Sequence, residues 1–491
     1  MTMARRPNIL LITADQWRGE CLGALGHIVK TPHLDALAAE GTTFTQHHAA
    51  CAPCSPARAS LYTGQYQMNT RVVRNGTPLD ARFDNIALAA RRGGYVPTLF
   101  GYTDTSPDPR GLDPADPALT NYEGVLPGME VGQILPEDDG PWLDWLADQG
   151  VTADHALQAG APQPGELVTN APTAFTAEQS QTAFLTGAFL DWAETQDGPW
   201  FAHLSFLRPH PPFSAPAPYN DMYEPGQGPA YLRADSAAAE PAHHPMPGHK
   251  RATTNLGDYI AEATGGLDQL TPRDFDRIRA VYYGMMSEVD AQIGRLIATL
   301  RARGDWEDTL LVFTSDHAEM MGDHWMLGKG GYHAQSYHIP LILKVPGQGG
   351  QGRVEAFTSA IDIFPTLCDA MGVAPETVPN GASLLPFARG EDSDWRKGVM
   401  WEFDYRDHDQ HGHDPDDCVM ACWRSGDHLY VHTPRDGSLL FNIARDPGCF
   451  ENLAAVQPSR RAAMAEGLLT ARLRAADQTL ARHMVWDWAE T

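Results

Sequence analysis

Short apolar runs that break off abruptly into polar residues recur along this chain. Asn8 to Ala14 reads as a buried strand, with Ile9 to Ile12 continuously apolar, and it delivers Asp15 at its end. Thr309 to Thr314, apolar and β-branched, stops in the same way at Ser315, Asp316 and His317. Trp200 to Phe206 is a third such run and leads into Arg208, Pro209, His210 and Pro211. Helical signals lie between these strands. Thr31 and Pro32 supply a cap and a first turn, Leu34, Leu37 and Ala38 line one face, and Gly41 ends the pattern. After Cys54, Ser55 is placed to cap a second helix and Pro56 to fill its first turn, while Ala57, Ala59 and Ser60 allow close packing. The longest helical period starts at Thr271 and Pro272, repeats through Phe275, Ile278, Tyr282, Met285, Val289, Ile293, Leu296 and Leu300, and ends at Gly304.

Strands alternating with helices predict an α/β fold, in which ligands gather outside the carboxyl ends of the strands. Asp15 and Asp316 then stand on comparable edges, provided that their strands are neighbours. A further helix is expected from Ile361 to Met371, followed by a glycine- and proline-rich stretch from Gly372 to Ala388. Beyond it, strands are expected near Val399 to Phe403, Cys418 to Trp423, His428 to His432 and Leu439 to Ile443, and a helix from Arg460 to Trp488. The expected organisation is one large α/β domain over residues 1–375 and a smaller α+β unit over residues 376–491, with a small antiparallel sheet and a terminal helix.

Charge narrows the partners. The 36 basic and 62 acidic residues leave a formal net charge of -26, which repels nucleic acid and anionic membrane over most of the surface. An anionic substrate must therefore be drawn in locally, by a metal or a few buried cations. No stretch approaches the roughly 18 apolar residues of a spanning helix, and the run from Ile9 to Ile12 is too short for a secretory signal. Seven cysteines, an odd number without the spacing of a disulfide framework, point to a reducing compartment and a cytoplasmic protein.

The candidate chemistry begins at Cys51-Ala52-Pro53-Cys54-Ser55-Pro56-Ala57-Arg58. The run from Cys54 to Arg58, continued by Ala59-Ser60-Leu61-Tyr62-Thr63-Gly64, resembles the signature of the type I sulfatases within the alkaline phosphatase superfamily. That resemblance implies an alkaline-phosphatase-like central mixed β-sheet flanked by helices, covering Pro7 to about Met371 with a looser C-terminal fit. It also implies that Cys54 is oxidised to formylglycine by a separate formylglycine-generating enzyme. The hydrated aldehyde is a geminal diol: one oxygen attacks the ester's central atom, and the other expels the anion as the aldehyde re-forms. The helix after Cys54 adds backbone donors and partial positive charge, and Arg58, one turn on, can return to the same end. Cys51 reads as a buried structural thiol.

Asp15-Gln16 and Asp316-His317, together with the modified Cys54, resemble the family's shell for one divalent metal ion. Ordinary sulfatases carry two successive aspartates in the first segment, and often aspartate and asparagine in the second. Gln16 and His317 depart from that pattern, and the histidine nitrogen keeps manganese in contention with calcium. The loop from Ser315 to Gly330 resembles the corresponding sulfatase loop, which makes Lys329 a candidate clamp on a nonbridging or leaving oxygen. His210, in Arg208-Pro209-His210-Pro211, resembles the family's active-site histidine and is a candidate for protonating or hydrogen-bonding the leaving oxygen. His243, His244, His408, His411 and His413 lie in irregular polar segments and read as surface residues.

Gly101-Tyr102-Thr103-Asp104-Thr105 departs from the usual sulfatase segment, where a lysine and a histidine contact sulfate. It looks more like the phosphonate monoester hydrolase branch, with Tyr102 as a leaving-group contact and Asn75 as a donor to a nonbridging oxygen. Asp104 is discordant, because that branch has a hydroxyl residue there. Aryl sulfate hydrolysis is the first expectation and phosphonate monoester or phosphodiester hydrolysis the second, with a small anionic ester as substrate in each. A noncatalytic anion-binding protein is the remaining alternative. The branch resemblance, the proline-rich insertions and the helical tail also lead to the expectation of a homo-oligomer.

Overall fold

The computed structural model describes residues 6–136, 138–151, 166–391, 393–404, 416, 418–435 and 437–478. Eight strands form the central sheet: β1 (Asn8–Ala14), β2 (Thr42–His48), β3 (Pro97–Gly101), β4 (Glu130–Ile134), β5 (Phe201–Phe206), β6 (Thr309–Thr314), β7 (Leu341–Lys344) and β8 (Gly352–Ser359). Their order is β4-β3-β5-β1-β6-β7-β2-β8, and β7 alone runs against its neighbours β6 and β2, so the sheet is mixed. β1 lies parallel between β5 and β6, with Thr13 level with Ser205 on one side and Thr314 on the other. The condition attached to Asp15 and Asp316 is met, since their strands are adjacent and parallel.

All seven residues of β1 are buried, because both faces of the sheet are covered. Leu10, Ile12 and Ala14 face one core, which they share with α1 (Pro32–Glu40), α4 (Gln181–Glu194) and α5 (Pro272–Arg303). Ile9 and Leu11 face the other, shared with α2 (Cys54–Thr63), α3 (Ile86–Arg92) and α6 (Ile363–Met371). The two-residue period of the strand thus serves two layers of helices. α5 opens on a capping box in which Thr271 Oγ1 accepts from the Asp274 amide and the Asp274 carboxylate accepts from the Thr271 amide, and it closes at Gly304 with φ 79°.

A second, antiparallel sheet of β9 (Gly398–Asp404), β10 (Val419–Ser425), β11 (His428–Thr433) and β12 (Gly437–Asn442) runs in the order β12-β11-β10-β9. One face of it packs into the same core as Ile9 and Leu11, through Val399, Trp401, Cys422 and Phe441. The other receives Met464 and Leu468 of α7 (Pro458–Ala475). The sheet also braces the chain ahead of Cys54, because the Glu402 amide donates to the Ala50 carbonyl at 2.9 Å.

Two expectations are corrected. α2 begins at Cys54 with Pro53 at its cap position, so Ser55 lies inside the helix, where its hydroxyl finds no partner and caps nothing. The terminal helix stops at Ala475 rather than Trp488; the expected positions beyond 478 lie outside the described residues. Among the described residues, no helix is long and apolar enough to cross a membrane.

Candidate active site

Parallel strands deliver the site. Asp15 and Gln16 follow β1, Tyr102 and Asp104 follow β3, Arg208 and His210 follow β5, and Asp316 and His317 follow β6. Cys54 arrives after β2 at the first residue of α2. Asp15, Cys54, Asp316 and His317 are all buried and offer ligand atoms within 4.8 Å of one another.

The chemistry of this donor set fits a divalent cation. Asp15 Oδ1 is buried without a hydrogen-bond partner, which is costly for a carboxylate oxygen unless something positive meets it. His317 Nδ1 lies 3.3 Å from the Ala318 carbonyl and so carries the proton, which leaves the Nε2 lone pair 3.2 Å from Cys54 Sγ and 3.7 Å from Asp15 Oδ1. Burial keeps that imidazole neutral by pushing its pKa down. Burial works to raise the Asp15 pKa, yet positive charge beside it, from His210 and His317 once acid protonates them and from Arg58 and Lys329 throughout, holds it well below the usual carboxylate range. Burial and the nearby Asp15 push the Cys54 thiol well above its ordinary pKa, so an unmodified thiol here is a poor nucleophile.

Arg58 is 1% exposed and spends its donors on the cage. Nε reaches Asp316 at 3.1 Å, Nη2 reaches Asp15 at 3.2 Å and the Tyr102 hydroxyl at 2.8 Å, and Nη1 reaches Ser205 at 2.9 Å. The arginine therefore does return to the helix end, where its single charge is shared between the two aspartates. Tyr102 stacks on that guanidinium at 4.1 Å and gives its hydroxyl proton to Asp15. Its donor thus goes to Asp15 and a lone pair to Arg58, while the side chain also lines the cleft.

Gln16 holds φ 69°, and its side chain turns to the second layer: Nε2 donates to Glu319 and Oε1 accepts from Lys329 Nζ at 2.7 Å. Lys329 Nζ also donates to His210 Nε2 at 3.2 Å, while His210 Nδ1 donates to the Pro211 carbonyl at 2.8 Å. Burial and Lys329 lower the His210 pKa to about 3, so the ring is neutral and works as an acceptor that aims the ammonium group. Burial works to lower the Lys329 pKa, but Cys54, Asp15, Asp316 and Glu319 more than offset it. Lys329 is the proton-bearing member of the pair. Asn75 Oδ1 accepts from the Ser55 amide at 3.0 Å, which fixes its Nδ2 as the donor left for the cleft it lines. Asp104, 6% exposed with φ 47°, lies 4.0 Å from Arg58 Nε, and burial raises its pKa to about 7.

Glu319 received no role from the sequence. It is fully buried and accepts from Gln16, from the Met321 amide at 3.0 Å and from the Gly328 amide, tying the first metal segment to the loop that carries Lys329. The signal available was a carboxylate set among Ala318, Met320 and Met321, since a charge in an apolar run is buried only when paired. Arg208 was also unassigned; its Nη1 donates to the His210 and Pro212 carbonyls and shapes the His210 loop. Outside the site, Cys51 Sγ pairs with Ser60 Oγ at 3.3 Å. His243 bonds the Phe450 carbonyl and His244 caps a short helix, so both are structural. His408, His411 and His413 lie outside the described residues.

Comparison with known proteins agrees with this geometry. The sequence model of the sulfatase family matches residues 7–373. The multifunctional alkaline phosphatase superfamily protein PehA of Trinickia caryophylli is 40% identical over 97% of each chain, and an arylsulfatase of Clostridium perfringens is 29% identical over 91% of this chain and 90% of its own. Among solved structures, the phosphonate monoester hydrolase of Agrobacterium radiobacter is similar with a TM-score of 0.94 and 51% identity, and that of Silicibacter pomeroyi with 0.91 and 38%, each over 98% of both chains.

Proposed function

Because the chain belongs to the sulfatase family, we propose that it hydrolyses singly charged tetrahedral esters, sulfate monoesters and phosphonate monoesters alike, at residue 54. The observation that carries this reading is the buried set of Asp15, Cys54, Asp316 and His317, whose Asp15 and Cys54 open onto a cleft that Asn75, His210 and Lys329 also line. A calcium or manganese ion held by that set supplies Lewis acidity, lowering the pKa of the residue 54 hydroxyl and offsetting charge on the ester's oxygens. Maturation to formylglycine by a formylglycine-generating enzyme replaces a thiol that burial keeps protonated with a hydroxyl nucleophile.

The remaining work falls to this chain's own groups. The Asn75 Nδ2 faces a nonbridging oxygen, and the N-terminal end of α2 adds its partial positive charge beside it. Lys329, aimed by Gln16 and His210, donates to the oxygen on which charge develops as the ester bond breaks. A sulfate monoester, a phosphonate monoester and a phosphodiester each bring one negative charge. A phosphate monoester dianion brings two, and the second must approach Asp104, which disfavours it.

The test compares kcat/KM for an aryl sulfate, an aryl phosphonate monoester and an aryl phosphate monoester with the same leaving group, on protein whose residue 54 is shown by peptide mass to be formylglycine. Activity on the first two and weak activity on the third is expected, and the larger of the first two values ranks the substrates. A preference for the phosphate monoester would overturn the charge argument, and full activity with an unmodified Cys54 would remove the proposed nucleophile.

A further inference from the structure

Lys329 Nζ and His210 Nε2 meet at 3.2 Å although they come from different loops, the histidine from the one after β5 and the lysine from the one after β6. The backbone on both sides of Lys329 is glycine in the left-handed region, Gly328 with φ 81° and Gly330 with φ 112°. Glycine has the widest choice of paths. The aim of the ammonium group therefore depends on what packs against those two residues from outside their loop.

Two aromatic rings do so. A Cβ at Gly328 would overlap the Tyr259 hydroxyl, and one at Gly330 would stand 2.7 Å from the Phe403 ring, so both rings lie directly on the backbone. Both also line a hollow of about 250 Å³ with Met246, Lys250 and Thr253, and on that side the Lys329 segment rests on the rings beside open space. Tyr259 has a second attachment. Its carbonyl accepts from the Phe213 amide at 2.8 Å, and its ring stacks on that of Phe213 with centroids 6.1 Å apart and an angle of 26°. Phe213 follows directly on Arg208-Pro209-His210-Pro211-Pro212, where Arg208 gathers the His210 and Pro212 carbonyls. Tyr282 packs edge-on against the same Phe213 ring at 5.9 Å. Tyr259 thus spans from the loop of His210 to the loop of Lys329 and belongs to neither, since it follows the short turn Leu256–Asp258.

We propose that Tyr259 is a positioning residue for the reaction, a strut that fixes the two loops against each other and so holds Lys329 Nζ on the oxygen that leaves. This rests on the reading above, in which Lys329 donates to that oxygen, and adds the group that keeps it there. The Tyr259 hydroxyl does no proton transfer in this role: burial pushes its pKa well up and it stays protonated.

The experiment compares kcat/KM for two aryl sulfates, one releasing a nitrophenol and one releasing phenol, whose more basic oxygen needs more help from a donor. The fraction of folded and modified protein cancels in the ratio of the two values, so a variant that is merely less stable leaves that ratio where it was. Tyr259→Leu is expected to raise the nitrophenyl-to-phenyl ratio about tenfold, and Tyr259→Phe, which keeps the stack on Phe213, by about twofold. Gly328→Ala drives a methyl into the Tyr259 hydroxyl and is expected to raise it as well. Lys329→Ala is the reference, because it removes the donor itself. If Lys329→Ala raises the ratio and neither Tyr259→Leu nor Gly328→Ala does, the proposal is overturned and the function stands. If Lys329→Ala leaves the ratio unchanged, the leaving-oxygen role falls and the inference with it. A shift in Tyr259→Phe as large as in Tyr259→Leu overturns the strut, because the stack on Phe213 would then hold nothing in place.

Discussion

Glu319 shows how a residue that never meets the ester sets the geometry of those that do. Its carboxylate gathers Gln16 from the end of β1 and the Met321 and Gly328 amides from the loop of Lys329. Glu319→Gln puts an amide NH2 against at least one of these donors, and the loop must give way. A fall in kcat/KM of about 10- to 100-fold is expected, the range found for groups that orient metal ligands, with a parallel loss of metal affinity by calorimetric titration. Unchanged kinetics would reduce Glu319 to a packing residue. The contrast with Asp15 and Asp316 explains what a sequence reading sees at this scale: those two end clean apolar strands, whereas Glu319 sits where only the folded loop decides its partners. The same holds for Tyr102, whose position beside the site was legible and whose hydroxyl direction was set by Arg58 and Asp15.

Among the elements, legibility followed burial. β1 and β6 are buried on both faces and announce themselves as apolar runs, and α5 declares both ends through Thr271 and Gly304. β2 reads Thr-Thr-Phe-Thr-Gln-His-His, with neither an apolar run nor a two-residue period, and owes its strand character to pairing with β7 and β8. β8 is only partly buried at the sheet edge and gives equally little signal. α5 also touches the site, since the Tyr282 hydroxyl donates to the Gln16 carbonyl at 2.7 Å, but its N-terminal cap lies about three turns before that contact. Thr271→Ala is therefore expected to cost about 1 kcal/mol of stability, read as a lower denaturant midpoint at constant slope. Retained kcat/KM is expected beside it; an activity loss larger than the stability loss would show that the cap steers the site.

Taken as a whole, the molecule buries several carboxyl groups whose pKa values rise on folding, and this gives its stability a direction in pH. Glu288 and Asp290 on α5 lie away from the metal cage, and burial pushes each to about 7. Glu288 is held by hydroxyl donors, Ser180 at 2.6 Å and Thr182 at 2.8 Å, which soften that rise without cancelling it. A carboxyl raised in this way binds its proton more tightly in the native state than in the unfolded chain. Its contribution is complete below the unfolded value near 4.5 and is lost as pH rises through about 7. The opposite slope comes from groups such as Asp15 and Glu20, which their partners hold below the usual range and whose contribution is lost only in stronger acid. The two sheets share one core, so these terms act on a common unfolding transition. Buried histidines held neutral, His47, His203 and His210 each pushed down to about 3, contribute stability that is lost as pH falls below their unfolded value near 6.5. Total stability is therefore expected to peak near neutrality and to decline on both sides, with the net charge of -26 adding self-repulsion on the alkaline side. Glu288→Gln removes the titration while keeping an acceptor for Ser180 or Thr182. Relative to the unaltered protein, the variant is expected to gain on the order of 2 kcal/mol between pH 5 and pH 8, measured as the pH dependence of the denaturant midpoint. If the difference between the two proteins is the same at both pH values, Glu288 is already ionised in the native state, and the decline belongs to other groups.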